Sequence, residues 1–153
     1  MTIHYAVAAV YPAATFLAVA LGCGALLWPD QGAAEGAVAI GTTGNVVRSG
    51  WAFAISVNSK TPEEASADAV EQCKKQPADK PALERCKVER GFRDACAAGA
   101  MDPRAGTPGV GWGIAATRRD AEVLALADCE KTAGPGRRDA CKVHLTLCDG
   151  AGK

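Results

Sequence analysis

Cysteine carries most of the chemical potential in this chain, at seven of 153 residues. No two cysteines stand in a CxxC arrangement, and His4 and His144 are the only histidines. Structural zinc sites draw on closely spaced thiolates and imidazoles, and covalent haem attachment needs CxxCH, so neither is expected. Cys23 falls within an apolar leader. The other six, Cys73, Cys86, Cys96, Cys129, Cys141 and Cys148, form an even set. Behind an export-like segment, such a set reads as three disulfides made in an oxidising compartment.

Other reactive residue types form no catalytic constellation. Nucleophilic catalysis needs a nucleophile, a base and an orienting group. His144 lies between Val143 and Leu145 in an expected strand and reads as a surface or core histidine. Ser49, Ser56, Ser59 and Ser66 fall at a turn, a strand, a linker and a helix, none within GxSxG. The acids Glu63 and Glu64, like Asp120 and Glu122, belong to the first turns of expected helices, where negative charge suits the helix dipole. GTTGN (41–45) and GPGRR (134–138) lack the spacing of a phosphate loop. Trp51 and Trp112 carry rings able to stack on a sugar or base, yet their strand faces are apolar and place them in a core. No catalytic, metal-binding or cofactor-binding residue is assigned, and the chain is expected not to be an enzyme.

The totals set the frame for these residues. Lys and Arg number 17 and Asp and Glu 17, a balance without bulk attraction to nucleic acid or anionic lipid. The basic clusters CKKQPADK (73–80) and GRRDACK (136–142) read as solvated loops beside helix C-termini. Residues 5–28 contain no charge and form a run long enough to cross a bilayer. Gly32 and Ala34 then stand at the small-x-small positions of a cleavage site, which makes 1–34 a signal peptide and Glu35 the new N-terminus. Cleavage there would leave 17 basic against 16 acidic residues, a net charge of +1. The leader lacks a basic n-region, so the alternative is an uncleaved anchor; ALGC (20–23) is a poorer lipoprotein signal.

Residues 35–153 read as one disulfide-stabilised α+β domain in which a unit is used twice, at 36–95 and 96–150. TPEEASADAVEQC (61–73) and TRRDAEVLALADC (117–129) are both capped helices. Thr61 and Thr117 are the caps, with Glu64 and Asp120 completing capping boxes and Pro62 at the first helical position. Ala65, Ala69, Val70 and Cys73 share one side of the first helix, as Ala121, Ala125, Leu126 and Cys129 do in the second. Small residues there let a helix lie close to a sheet.

A Gly-Trp strand precedes each helix. In GWAFAISV (50–57), Trp51, Phe53, Ile55 and Val57 alternate with Ala52, Ala54 and Ser56; in VGWGIAAT (110–117), Val110, Trp112 and Ile114 alternate with Gly and Ala. Upstream, AVAIG (37–41) and CAAGAM (96–101) read as shorter strands. After each helix a polar loop leads to a CKV strand. Counting by twos, Val88 and Phe92 share a face with Cys86, and Val143, Leu145 and Leu147 with Cys141. The expected core of the two units is thus Trp51, Phe53, Ile55, Ala69 and Val88 with Trp112, Ile114, Ala125 and Val143. Strand, strand, helix, strand, used twice, builds an antiparallel-sheet domain with two helices.

Six cysteines allow fifteen pairings. Respect for the repeat leaves one with three equivalent pairs and six with a single such pair. The pairing expected is Cys73–Cys86, Cys129–Cys141 and Cys96–Cys148. The first two close short loops worth about 3 kcal/mol each, and the third a longer loop worth about 4 kcal/mol.

In its paired Gly-Trp strands, Ala-rich helices with Cys73 and Cys129, CKV strands, and CAAGAM after FRDAC, the sequence resembles a bacterial family catalogued as Domain of Unknown Function 4189. The resemblance runs from about residue 36 to the end and implies an exported, cysteine-rich domain. It supplies no catalytic residues. The function expected is a non-catalytic periplasmic or secreted module that binds a protein partner in the cell envelope or outside the cell, with no nucleic acid. A second reading is an accessory subunit of an envelope complex, anchored in the inner membrane through residues 5–28, with Pro12, Ala18, Gly22 and Gly24 available for helix contact. A third is a hydrolase using carboxylates that the sequence does not single out.

The pairing is open to direct test. Cys129→Ser is expected to cost about 3 kcal/mol of stability and to leave Cys141 open to alkylation in the folded protein. An unlabelled Cys141 in that variant would show the pairing to be wrong.

Overall fold

The computed structural model describes residues 35–152. The leader 1–34, with its apolar run, Cys23 and the expected cleavage site, lies outside the described residues. Six strands and four helices follow in order: β1 (Glu35–Gly41), α1 (Val46–Ser49), β2 (Ala52–Ser59), α2 (Pro62–Cys73), α3 (Lys80–Leu83), β3 (Lys87–Phe92), β4 (Cys96–Met101), β5 (Val110–Ala115), α4 (Arg118–Ala133) and β6 (Lys142–Cys148). A 3-10 turn at Arg138–Ala140 precedes β6. The helices α1 and α3 are single turns inside links read as irregular from sequence. The architecture is α+β, with antiparallel strands in two three-stranded sheets ordered β2-β1-β3 and β5-β4-β6.

Local signals start both long helices. The Thr61 hydroxyl accepts from the Glu64 amide at 3.1 Å, while the Glu64 carboxylate accepts from the Lys60 amide at 3.0 Å. The Thr117 hydroxyl accepts from the Asp120 amide and donates to the Asp120 carboxylate. Each arrangement satisfies donors that a helix start leaves open. α2 ends at Cys73. α4 does not end at Cys129 but continues one turn to Ala133, stopped by Gly134 at φ 82° and Pro135.

The sheets pack face to face, with a helix on each outer side. Between them lie Val38, Ile40, Phe53, Ile55, Phe92 and Ala97, joined by Trp51, Val57, Trp112, Ile114, Leu145 and Leu147. This core draws on both halves of the chain, so neither three-stranded sheet is left with its inner face in water. Under α2 the other face of its sheet presents Ala37, Ala39, Ala52 and Ala54 to Ala65, Ala69 and Cys73. Under α4 the corresponding surface is Cys96, Ala98 and Ala100 against Ala121, Ala125 and Cys129. On β5 the fit is closer still. A Cβ on Gly111 would stand 2.1 Å from the Cys129 amide nitrogen, and one on Gly113 would stand 2.4 Å from the Leu124 Cβ.

Period-two counting fails in one strand of each half. β3 leaves register with β1 between Val38 and Ala39, and β6 leaves register with β4 between Gly99 and Ala100. The unpaired residues are Glu89 and His144, which stand at the same offset from their CKV tripeptides. A bulge puts one extra residue into a strand and so reverses which face the next side chain joins. Phe92 therefore enters the core between the sheets, whereas Val88 pairs with Ala39 on the α2 side. Leu145 and Leu147 enter the same core, whereas Val143 pairs with Ala100 on the α4 side. Val88 and Val143 are thus not core residues. They are 36% and 38% exposed, because α2 lies chiefly over β1 and β2, and α4 chiefly over β5 and β4.

A buried carboxylate ties the C-terminus to the first half. Asp149 is fully buried and accepts from the amides of Asn58, at 2.8 Å, and Asp94, at 3.3 Å. Among the described residues Asn58 and Asp94 are the two non-glycine residues with positive φ, 58° and 50°, a region that Asn and Asp tolerate better than most. Their side chains return the contact, accepting from the amides of Gly150 and Ala151. Asp149→Ala, which would leave two amides without their acceptor, is expected to cost about 2–3 kcal/mol, and Asp149→Asn less. Urea unfolding of the oxidised protein measures both.

Candidate functional site

Three disulfides fix the elements that surround any site. Cys73–Cys86 and Cys129–Cys141 tie a helix to the start of the following strand, with Cα separations of 5.9 and 6.1 Å. Cys96–Cys148 crosses directly between β4 and β6, where the two residues are register partners. This is the expected pairing, and it removes all six cysteines of the domain from thiol chemistry.

The residues weighed for catalysis do not converge. His144 is exposed at its bulge. Glu63 and Glu64 are exposed in the first turn of α2, and the Glu122 carboxylate accepts from the Thr146 hydroxyl at 2.9 Å. The Ser56 and Ser59 hydroxyls face each other at 3.2 Å, and the Ser49 hydroxyl meets Thr43 and the Asn45 carbonyl. Among the described residues no group of three His, Cys, Asp or Glu side chains is placed to hold a metal ion.

Sequence reading missed one strong ion pair. Arg137 donates to both oxygens of Asp102, from Nε and Nη2, at 2.7 Å each. The Arg104 amide adds a third donor at 3.0 Å. The Arg137 guanidinium, helped by that amide, holds the Asp102 carboxyl down at about 2, against an ordinary 3.8. All of these donors bind the two carboxylate oxygens, so Asp102 anchors the β4–β5 connection to the loop after α4. It stands beside a hollow of about 330 Å³ that also includes Trp51, Arg48 and Asp79. Trp51 itself stacks on Phe53, with centroids 4.9 Å apart and planes at 22°.

A second open concavity, of about 660 Å³, lies further along β5. There β3 and β5, each an outer strand of its sheet, both line the opening. β3 contributes Arg90, β5 contributes Trp112 and Ile114, and α4 contributes Leu124, Asp128 and Lys131. The α4 residues recur at intervals of four and three, which puts them on one stripe of the helix. Trp112 and Ile114 are half-buried, so each gives one face to the core and another to the groove. Leu124 is 48% exposed and lines the same groove as Trp112.

Close seating of α4 shapes this groove. The Asp128 carboxylate accepts from the Trp112 amide at 3.3 Å. The Thr132 hydroxyl bonds the Val110 amide and carbonyl, at 2.9 and 2.7 Å. Those β5 groups point away from β4, so helix side chains cover part of a strand edge that would otherwise invite another chain. Of the groove residues, the sequence singled out Trp112 and Ile114, though as core. Arg90, Leu124, Asp128 and Lys131 carried no local signal, because only packing between distant segments brings them together.

The chain matches the family model described as Domain of unknown function (DUF4189) over residues 35–148. It belongs to that family. The DUF4189 match begins at the first residue of β1 and ends at the last residue of β6, so it spans both sheets and all three disulfides. No curated protein and no solved structure matches the chain.

Asp102 gives a pH dependence whose sign is fixed. Its folded carboxyl is depressed below 3.8, so its contribution to stability is full above that value and fades as pH falls through about 2. Asp102→Asn is therefore expected to lower stability at neutral pH and to flatten the loss between those two values. Unfolding midpoints measured across that range test this; parallel profiles for the two proteins would contradict it.

Proposed function

We propose that this DUF4189 domain is a non-catalytic protein-binding module that works in the periplasm or outside the cell. One observation carries the reading: an open groove whose lining includes a half-buried Trp112 and an exposed Leu124. Large apolar side chains kept at a solvent-facing concavity are the usual core of a binding surface. Disulfides that tie α2 and α4 to the residues before β3 and β6, and β4 to β6, limit the entropy lost on docking. Three disulfides also suit an oxidising compartment and not a reducing cytosol. Among the described residues no helix is long and apolar enough to cross a membrane. Anchoring as an accessory subunit would therefore rest on residues 5–28. A hydrolytic role has less support, since the acids weighed for it are capping or paired groups.

Site-specific photocrosslinking tests the surface. With a photoreactive residue in place of Leu124, the full chain in its host is expected to give a discrete covalent adduct with one envelope or secreted protein. The same residue in place of Glu71, on the exposed face of α2, is expected to give none. Adducts from position 71 alone, or from neither position, would remove the groove as the binding surface.

A further inference from the structure

We infer that the groove between β3 and β5 takes an extended acidic polypeptide segment, whose apolar side chains rest on Trp112, Ile114 and Leu124 while its carboxylates meet Arg90 and Lys131. This deepens the reading of the domain as a protein-binding module and rests on it.

Charge decides the class of partner. Arg90 and Lys131 are exposed on opposite walls of the groove. Among the described residues neither is in an ion pair, whereas Lys87 pairs with Glu89, Arg93 with Glu35 and Arg137 with Asp102. The groove's single carboxylate, Asp128, is partly committed to the Trp112 amide. Two cations and one carboxylate thus line the groove, an excess of one positive charge, even though the chain as a whole is balanced. Two cations flanking an apolar floor complement a segment in which acidic and apolar side chains alternate, because an extended chain sends successive side chains to opposite sides.

The backbone of β5 indicates how such a segment would bind. The Val110 and Trp112 amides are already bonded by Thr132 and Asp128, so a partner cannot add as a regular strand along that stretch. Recognition then falls to side chains: apolar contact with the indole and Leu124, and charge-assisted hydrogen bonds to the guanidinium and ammonium. The groove is an open trough, whereas sites for small molecules enclose most of the ligand. A nucleic-acid strand would need a longer basic track than two cations supply.

Fluorescence anisotropy on the full-length oxidised chain in detergent provides the test. The probes are labelled ten-residue peptides alternating Glu with Leu or Phe, their counterparts with Lys in place of Glu, and a single-stranded oligonucleotide. The acidic peptide is expected to bind, to weaken as salt rises, and to lose at least about tenfold in affinity in the double variant Arg90→Glu, Lys131→Glu. Both residues are exposed, so the variant is expected to keep its fold, and the Lys peptide should gain affinity for it. Equal binding of acidic and basic peptides, indifference of the acidic peptide to the double variant, or preference for the oligonucleotide would each overturn the inference. If no peptide binds but crosslinking from Leu124 still gives its adduct, the acidic segment is wrong and the protein-binding groove stands. If that adduct is also missing, both readings fail.

Discussion

The structure depends most on how closely α4 lies on β5. Gly111 and Gly113 leave no side chain between strand and helix, and a Cβ at either position would overlap the atoms of α4. On the other side of the sandwich β2 presents Ala52 and Ala54 to α2. The consequences of the closer seating are local and specific. Asp128 and Thr132 reach the edge of β5 and bond its amides. Leu124 and Lys131, on the same stripe of α4, line the same groove as Trp112. The groove therefore follows from two missing methyl groups, since protein interiors adjust poorly to added volume.

Three further restraints keep this arrangement from loosening. The disulfides Cys73–Cys86 and Cys129–Cys141 hold each long helix to the strand that follows it, and Cys96–Cys148 holds β4 to β6. Asp149 joins the end of β6 to Asn58, near the end of β2, and to Asp94, just after β3, by accepting from two amides in left-handed conformations. Asp102 and Arg137 close the opposite end, linking the loop after α4 to the start of the β4–β5 connection. In a domain whose helix-facing surfaces are mostly alanine, burial per residue is modest. Covalent and polar restraints accordingly carry a larger share of the definition of the fold.

Much of this was legible from sequence, for reasons that are local. The Thr caps, the alanine stripes, the alternation of Trp51, Phe53, Ile55 and Val57, and the cysteine spacing all act within a turn, a strand or a short loop. The structure places each where these signals indicate. Val88 and Val143 were misplaced because alternation says nothing of a bulge, and Glu89 and His144 look ordinary in sequence. The end of α4 was set one turn early because the resemblance between the helices stops at Cys129. Asp149 and the pair Asp102–Arg137 were invisible because their partners lie up to 91 residues away. The groove had the same difficulty. Lys131 joins the lining with Trp112 once α4 seats on β5, and Arg90 only once the two sheets have stacked.

If the trough built by α4 on β5 is the surface through which this DUF4189 domain binds, it must respond to the ligand proposed for it. Amide chemical-shift mapping on the oxidised full-length chain, titrated with the alternating acidic and apolar peptide, measures that response. Shifts are then expected to gather at Gly111 to Ile114, at the Trp112 indole N–H and along Leu124 to Lys131, with α2 unchanged. Shifts centred on α2, or on the hollow beside Asp102 and Trp51, would contradict it.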